Sequence, residues 1–206
     1  ASNTESKVLK WADKLTTDSK TTQKIYKEKL GFDFEYLPSA IDTTKLDKIN
    51  DVKKTENQII YLGRDSYEKG VDILQKIESK LNGNVVYCTD LSWNDAMIEL
   101  KKSSLLIVPS RMESSPTNIK EAFYFKIPVV ATNVGGIPEL ITDNHTGLLV
   151  PYDNPEKQVE VINHLLSNQE LSNSLSMNAY NFIINYMTWE KVLPKYINFY
   201  TNLLNS

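Results

Sequence analysis

The sequence predicts an α/β fold with a doubly wound parallel sheet and extra helices at its C-terminal end. Short apolar runs rich in β-branched residues alternate with amphipathic stretches of helical length. The runs are almost unbroken in apolarity, which is typical of strands buried on both faces of a sheet. Because alternating strands and helices form right-handed βαβ units, we expect helices to cover both faces of one parallel sheet.

The individual elements follow from these two periodicities. The predicted strands are residues 34–37, 59–62, 84–88, 105–109, 127–131 and 147–150. The predicted helices are residues 20–30, 69–81, 92–102, 117–126, 155–167, 171–186 and 189–204. The last helices follow one another with no strand between them, so they should cover the sheet or extend beyond it.

The composition excludes several function classes. The net charge of −3 over 206 residues provides no basic field, so no nucleic-acid partner is expected. The first thirty residues are locally rich in lysine, which fits either a solvated helical face or an acidic membrane surface. No apolar run approaches the roughly 18 residues that a membrane span needs.

Cysteine and histidine content bears on the compartment and on metals. Cys88 is the single cysteine, so disulfides are not expected and a reducing compartment fits. One cysteine and two distant histidines do not form a zinc site. The polar start, ASNTESK, does not resemble a signal peptide. We expect a cytoplasmic location, with peripheral association at the inner membrane face as the alternative.

Three loops with distinctive chemistry are predicted to meet at the carboxyl edge of the sheet, where ligands bind in such folds. They read GRDSYEKG after strand 59–62, SRMESSPTN after strand 105–109 and TNVGGIPE after strand 127–131. Arg64 and Lys69 bring two cations to this edge, and Gly135 and Gly136 permit close backbone approach. Cations, helix N-terminal N–H groups and a Gly-Gly loop suit a phosphate-bearing ligand. Each feature taken alone is also compatible with ordinary surface charges and turns.

Two carboxylates flank the central loop. Glu113 lies in the loop and Glu121 lies one turn into the next helix. A carboxylate accepts two hydrogen bonds from a vicinal diol, so Glu121 could bind a ribose. Asn118 and Glu121 are equally compatible with a capping box, in which both side chains only close the helix N-terminus.

The order of these motifs resembles the C-terminal, donor-binding half of retaining glycosyltransferases of the GT-B fold, the group 1 or family 4 type. The resemblance covers about residues 10–203 and is carried by YLGRDSYEKGVDIL, VPSRMESSPTNIKEAF and IPVVATNVGGIPELITDNHTGLLVPYDN. The E-x7-E motif of that family corresponds to Glu113 and Glu121. WADKLTTDS resembles the end of the N-terminal lobe, YLPSAID the crossover, and MTWEKVLPKYINFY the final helix.

The resemblance implies a Rossmann-like lobe and roles for particular residues. Arg64 and Lys69 would neutralise the donor diphosphate, Glu113 would hold the donor sugar, and Glu121 would bind the ribose. The further donor-binding residues implied are Gly63, Ser115, Thr117 and Asn118. Cys88, Thr89 and Leu91 would occupy the base-binding position. No metal or other cofactor is implied, since Arg and Lys replace a cation, and a UDP- or GDP-linked sugar is a substrate. Paired carboxylates also leave a nucleophile role open for Glu113.

The resemblance also implies an incomplete cleft. Residues 1–40 would be the end of the N-terminal lobe and the crossover, 41–186 the nucleotide-sugar-binding domain, and 187–206 a helix that crosses back. The acceptor, a glycan, lipid or protein, would bind the other lobe, so the isolated chain should be inactive. The chain departs from the family at Ser114-Ser115-Pro116 and lacks about one βα unit before residue 96. A non-catalytic nucleotide-sugar-binding or scaffold lobe that needs a separate partner chain is the alternative.

Overall fold

The computed structural model describes residues 7–205 and contains the predicted parallel sheet. The strands are β3 (Gln58–Leu62), β4 (Asn84–Cys88), β5 (Leu105–Val108), β6 (Val129–Thr132) and β7 (Leu148–Val150). They are hydrogen-bonded in the order β4-β3-β5-β6-β7, and every pair is parallel. The doubly wound, Rossmann-like fold class is therefore confirmed. The chain reverses its direction of winding between β3 and β5, which is where such sheets bind ligands.

The sheet is buried on both faces, as the apolar strands predict. Ile60 of β3 and Leu106 of β5 belong to one core cluster, whereas Ile59 and Leu105 belong to a second cluster on the opposite face. All four side chains are fully buried. The helices that flank the sheet are α3 (Val71–Ile77), α4 (Trp93–Lys102), α5 (Thr117–Tyr124), α7 (Pro155–Ser167) and α8 (Gln169–Tyr186). Two short helices, α2 (Thr43–Leu46) and α6 (Ile137–Leu140), complete the loops around it.

The predicted strand 34–37 does not belong to this sheet. It forms β2 (Phe34–Tyr36), which pairs in parallel with β1 (Leu15–Thr17), and α1 (Lys20–Leu30) connects the two strands. The result is a separate βαβ unit. The sequence LTT of β1 is too polar and too short to be distinguished from a loop by apolar patterning. The helix between the strands begins after its N-cap residue, Ser19, and ends at Gly31, whose backbone is left-handed.

The carboxylate of Glu139 joins the start of α1 to the main lobe. Glu139 of α6 accepts hydrogen bonds from the Ser19 hydroxyl (2.9 Å) and from the backbone N–H groups of Lys20 (2.8 Å) and Thr21 (2.7 Å). These are N–H groups that a helix start leaves without partners. Burial alone would raise the pKa of Glu139, but these donors together hold the pKa below its usual value. The carboxylate therefore closes the α1 N-terminus from across the interface.

The C-terminal helix α9 (Trp189–Leu204) also connects the two parts. Its Tyr196 hydroxyl donates to the Pro38 carbonyl at 3.3 Å, and Ile41 N donates to the Met187 carbonyl just before the helix. These hydrogen bonds join the last helix to the segment before residue 42, and the predicted domain division with its crossing helix stays a prediction. No helix within the described residues has the length and apolarity needed to cross a bilayer. Residues 1–6 and Ser206, the ends of the predicted terminal segments, lie outside the described residues.

The prediction of one continuous helix over residues 69–81 is wrong. The segment consists of a 3₁₀ turn at Tyr67–Lys69, the helix α3 and a second 3₁₀ turn at Glu78–Lys80. Gly70 interrupts the helix, because its φ of 70° is not helical. A side chain at Gly70 would place its Cβ 2.0 Å from the Pro109 carbonyl oxygen, so the break is imposed by the neighbouring loop.

We expect Glu139→Gln to lower the free energy of unfolding by about 1–2 kcal/mol at pH 7, because an amide is a weaker acceptor for three donors. This difference from wild type should have its full size above the unfolded carboxyl pKa of about 4.3. It should shrink as the pH falls through the lower folded pKa, because the wild-type carboxyl is then protonated and has lost its charge. Urea titrations between pH 3 and pH 7 measure this difference.

The matched control is Glu35→Gln, an exposed carboxylate in the same βαβ unit. It should change the free energy of unfolding by less than about 0.5 kcal/mol at every pH. A Glu139→Gln loss that is independent of pH would show that the Glu139 charge does not hold the unit.

Candidate functional site

The predicted site lies at the carboxyl edge of the sheet, where the loops after β3, β5 and β6 meet. Gly63 follows β3 and donates its N–H to the Cys88 carbonyl at the end of β4, at 3.2 Å. Ser110 follows β5, and its carbonyl accepts the Thr132 hydroxyl of β6 at 2.5 Å. These hydrogen bonds anchor the starts of the loops after β3 and β5 to the neighbouring strands.

Lys69 and Glu113 form an ion pair at the centre of this edge. The Lys69 Nζ lies 2.7 Å from Glu113 Oε1, and the side chains are 25% and 7% exposed. The Ser110 hydroxyl donates to the same oxygen at 2.8 Å. An ammonium group has three donors, so Lys69 keeps two for a ligand. The structure brings together two residues that the sequence predicted as neighbours of the donor sugar and diphosphate.

Glycines on two sides hold the loop that carries Glu113. A Cβ on Gly135 would lie 1.9 Å from the Glu113 carbonyl oxygen, and a Cβ on Gly136 would lie 1.7 Å from the Ser114 carbonyl oxygen. Gly136 N donates to the Glu113 carbonyl at 3.0 Å. On the opposite side the loop contacts Gly70 at Pro109. Only residues without a side chain permit this approach, so the Gly-Gly sequence sets the position of Glu113.

Arg111 is a part of the site's framework that the sequence analysis missed. Its guanidinium forms two hydrogen bonds to the Asp72 carboxylate, at 2.7 and 2.8 Å, and lies 4.0 Å from the centre of the Tyr67 ring. Its backbone N–H donates to the Glu68 carbonyl at 2.8 Å. The hydrogen bond from Arg111 lowers the pKa of Asp72 to about 2. These contacts connect the turn that carries Lys69 to the loop that carries Glu113.

Arg64 is placed differently from Lys69. Its side chain is exposed, and within residues 7–205 it has no ion-pair partner. Its backbone is fixed, because the Tyr61 hydroxyl donates to the Arg64 carbonyl at 2.6 Å. The guanidinium is therefore free to bind an anion that enters the edge of the sheet.

Glu121 lies on α5 and is not part of a capping box. The N-cap position is Pro116, without a side-chain cap, and Asn118 Nδ2 instead donates to the Leu62 carbonyl at 2.7 Å. The Asn118 Oδ1 atom is buried and has no partner among the described residues. Glu121 is 8% exposed, and its carboxylate accepts the Trp93 indole N–H at 2.8 Å. Burial raises the pKa of Glu121, and Trp93 and Lys120 oppose that shift.

A buried polar network extends from α5 to the βαβ unit. Lys120 is 1% exposed and donates to the Ser39 hydroxyl. Burial lowers the pKa of Lys120 to about 8, against the opposing charges of Asp18 and Glu121. Asp18 accepts from the hydroxyls of Ser39 (3.1 Å) and Ser114 (3.0 Å). The Ser115 hydroxyl lies 3.3 Å from that of Ser39, so this network reaches the loop between the two carboxylates.

Thr117 and Ser115 lie where the sequence placed them, at the uncapped start of α5. The predicted base-binding residues are less closely grouped. Cys88 is 3% exposed, and burial raises the pKa of its thiol to about 11. Thr89 donates to the neighbouring Asp90 at 3.3 Å, and Leu91 is exposed. The residue of this segment with a hydrogen bond to Glu121 is Trp93, two positions after Leu91.

A cavity of about 500 Å³ lies beside Glu121. Its walls include Asp42, Lys45, Trp93, Thr117, Glu121 and Trp189. The crossover segment, α4, α5 and the start of α9 all contribute to it. A buried carboxylate, an uncapped helix start and two indole rings give the cavity acceptor groups, donor groups and flat apolar surface.

Gly136→Ala tests whether the Gly-Gly loop positions the site. The new methyl would overlap the Ser114 carbonyl, so the loop must move, at a cost of about 2 kcal/mol or more in the free energy of unfolding. Chemical denaturation measures this cost. Gly83→Ala is the matched control. Its new methyl would also meet a backbone carbonyl, that of Asn57, but Gly83 lies at the opposite edge of the sheet.

The two variants should therefore both be destabilised, while only Gly136→Ala should weaken anion binding at the site. Pyrophosphate binding, measured by calorimetry on folded protein, separates them. Equal pyrophosphate affinity of Gly136→Ala and wild type would contradict the positioning role.

Comparisons with known proteins agree with this architecture. Residues 74–182, just over half of the chain, match the family described as glycosyl transferases group 1. An uncharacterized glycosyltransferase of Methanocaldococcus jannaschii is 36% identical over 48% of this chain and 28% of that protein. The O-antigen chain mannosyltransferase C of Escherichia coli is 25% identical over 66% of this chain and 37% of that protein. The chain thus spans well under half the length of these curated relatives.

Solved structures show the same fold at low identity. Sucrose-phosphate synthase from Thermosynechococcus elongatus superimposes with a TM-score of 0.86 at 16% identity, over 98% of this chain and 61% of that one. HepE from Anabaena, in complex with UDP-glucose, superimposes with a TM-score of 0.81 at 13% identity, over 96% and 68%. On the matched segment, this chain is a member of the glycosyl transferases group 1 family.

Proposed function

We propose that this chain is the donor-binding half of a retaining glycosyltransferase and holds a UDP- or GDP-linked hexose between Glu113 and Glu121. The observation that carries the proposal is the uncapped start of α5, which follows the loop of Glu113 and contacts the end of β3 through Asn118. Lys69 is paired with Glu113, and the exposed Arg64 follows β3. A diphosphate would bind the N–H groups of the helix start and the two cations. The complex of HepE with UDP-glucose supports this class of donor.

The positions of the charged residues indicate where each part of the donor would bind. Lys69 and Arg64 face the diphosphate, so the bridge between sugar and phosphate would lie near Lys69. Glu113, hydrogen-bonded to Lys69 and Ser110, would hold hydroxyl groups of the sugar. Glu121, near the large cavity, would accept the ribose diol. Because two cations neutralise the diphosphate, we propose that no metal ion or other cofactor is needed.

The reaction would break the bond between the sugar C1 and the diphosphate oxygen and form a bond from C1 to an acceptor oxygen on the same face. The acceptor proton passes to the departing phosphate, and Arg64 and Lys69 stabilise the charge that develops there. An ion pair with Lys69 makes Glu113 a weaker nucleophile, which favours the sugar-holding role over covalent catalysis.

The acceptor, a glycan, lipid or protein, would bind a second lobe that these residues do not provide. We propose a role in polysaccharide or glycoconjugate synthesis, in the cytoplasm or at the inner membrane face. The alternative is a non-catalytic lobe that binds a nucleotide sugar and acts with a separate partner chain. Loss of Arg64, Lys69, Glu113 or Glu121 would favour that alternative, and all four are present.

We expect the 206-residue chain to bind UDP or GDP with a Kd of about 10 μM to 1 mM, since half of a two-lobe cleft is absent. Binding should be unchanged by EDTA. Calorimetry with a panel of nucleoside diphosphates measures both. Absence of binding to every diphosphate would overturn the donor-site assignment.

The same chain should transfer no sugar to any acceptor, because positioning of donor and acceptor supplies about 7–11 kcal/mol of catalysis.

The two carboxylates should fail in different ways. Glu121→Ala should weaken diphosphate binding by the ~1.5–3 kcal/mol of a charged hydrogen bond, since ribose contacts are equal in ground and transition states. Glu113→Ala should leave the affinity for the bare diphosphate nearly unchanged and lower kcat of the complete two-lobe enzyme by about 100-fold or more. Titrations and steady-state kinetics measure these effects, with the exposed Glu156→Ala as the control. Loss of diphosphate binding in Glu113→Ala, with unchanged binding in Glu121→Ala, would reverse the roles assigned to the two carboxylates.

A further inference from the structure

Trp93 connects the start of α4 to the carboxylate of Glu121. Its indole Nε1 lies 2.8 Å from Glu121 Oε1, and this is the one side-chain hydrogen bond to Glu121 among the described residues. Trp93 is nevertheless 43% exposed, and it lines the cavity beside Glu121. One side chain therefore holds the carboxylate and forms a wall of the adjoining cavity.

The position of Trp93 is fixed by its own helix. Ser92 is the N-cap of α4 and accepts the Asp95 N–H at 3.2 Å, while its hydroxyl donates to the Asp95 carboxylate at 2.6 Å. Met97 and Leu100 of the same helix are buried in the core of the sheet. Because the helix start is capped and its inner face is packed, the backbone of Trp93 is held in place, and the hydrogen bond to Glu121 then holds the indole.

The hydrogen bond restricts what Glu121 can do. An indole has one donor, and it occupies Oε1. That hydrogen bond restrains the rotation of the carboxylate, and Oε2 has no side-chain donor among the described residues. The restraint matters because a vicinal diol presents its two hydroxyls at a fixed separation, and a freely rotating carboxylate would lose more orientation entropy on binding it.

The ring itself supplies flat apolar surface. A nucleobase packs well against an aromatic face. Across the cavity lie Asp42 and Lys45, an exposed ion pair with its charged atoms 3.7 Å apart. These groups offer an acceptor and a donor for the polar edge of a base.

We propose that Trp93 is a positioning and specificity residue for the nucleoside of the donor: its indole N–H orients Glu121 toward the ribose diol, and its ring forms the surface on which the base packs. This inference rests on the proposed donor site. It places the base beside Trp93 rather than around Cys88 and Thr89, which lie deeper in the strand end or bind a neighbouring side chain.

The test is Trp93→Phe, which keeps an aromatic ring and removes the N–H. Binding of UDP, GDP, their 2′,3′-dideoxy analogues and pyrophosphate to the 206-residue chain is measured by calorimetry. For whichever nucleotide binds the wild type more tightly, the variant should bind about 10-fold more weakly, while pyrophosphate affinity changes less than about 2-fold. The wild-type preference for ribose over dideoxyribose should fall to about 2-fold or less, which general loosening of the fold would not produce.

A double-mutant cycle with Glu121→Gln tests the connection between the two residues. Because Trp93 acts through Glu121, Trp93→Phe in the Glu121→Gln background should cost less than about 2-fold in nucleotide affinity. Trp11→Phe is the control, since Trp11 is 82% exposed and lies outside the cavity. It should bind every probe like wild type, and thermal melts confirm that all variants are folded.

The outcomes separate the inference from the function on which it rests. Unchanged ribose preference in Trp93→Phe, equal weakening of nucleotide and pyrophosphate, or additive effects in the cycle would overturn the role of Trp93 and leave the donor site standing. Failure of the wild type to bind either nucleotide would overturn the donor site, and the role of Trp93 with it.

Discussion

The site depends on one steric constraint, the close approach of three glycines to the loop between β5 and α5. Gly70 lies against Pro109, Gly135 against Glu113 and Gly136 against Ser114, each without room for a Cβ atom. The loop is therefore pressed between the turns that follow β3 and β6. Its position decides where Glu113 meets Lys69, and it leaves the start of α5 open. Arg111 strengthens the same arrangement by joining the loop to α3 through Asp72.

The charges of the site follow from this packing. Lys69 and Glu113 share a half-enclosed edge of the sheet, so their attraction is less screened than that of a surface pair. Lys120 and Glu121 are buried next to each other in sequence but have different partners, Ser39 and Trp93. Burial lowers the pKa of Lys120 and raises the pKa of Glu121, so that it favours the neutral form of each group. Hydrogen bonds thus hold Lys69, Glu113 and Glu121 in place before a ligand enters, which lowers the cost of binding.

Much of the fold could be predicted from the sequence, because buried parallel strands and amphipathic helices have distinct periodicities. Strand 84–88 and helices 20–30, 155–167 and 189–204 agree with the structure at both ends. The polar strand Leu15–Thr17 and the break at Gly70 were missed, since both depend on neighbours distant in sequence. The same reason applies to the site. Motif order predicted that Lys69 and Glu113 lie together, whereas the contacts of Trp93, Arg111 and Glu139 are set by tertiary packing alone.

We propose that a nucleoside diphosphate lies across the start of α5, with its phosphates beside Lys69 and its ribose at Glu121. A crystal structure of this chain with bound UDP or GDP tests it most directly. We expect phosphate oxygens within hydrogen-bond distance of Lys69 Nζ and the first N–H groups of α5. We also expect ribose hydroxyls on the Glu121 carboxylate and the base against Trp93. A nucleotide bound elsewhere on the chain, or ribose hydroxyls at Glu113 instead, would contradict it.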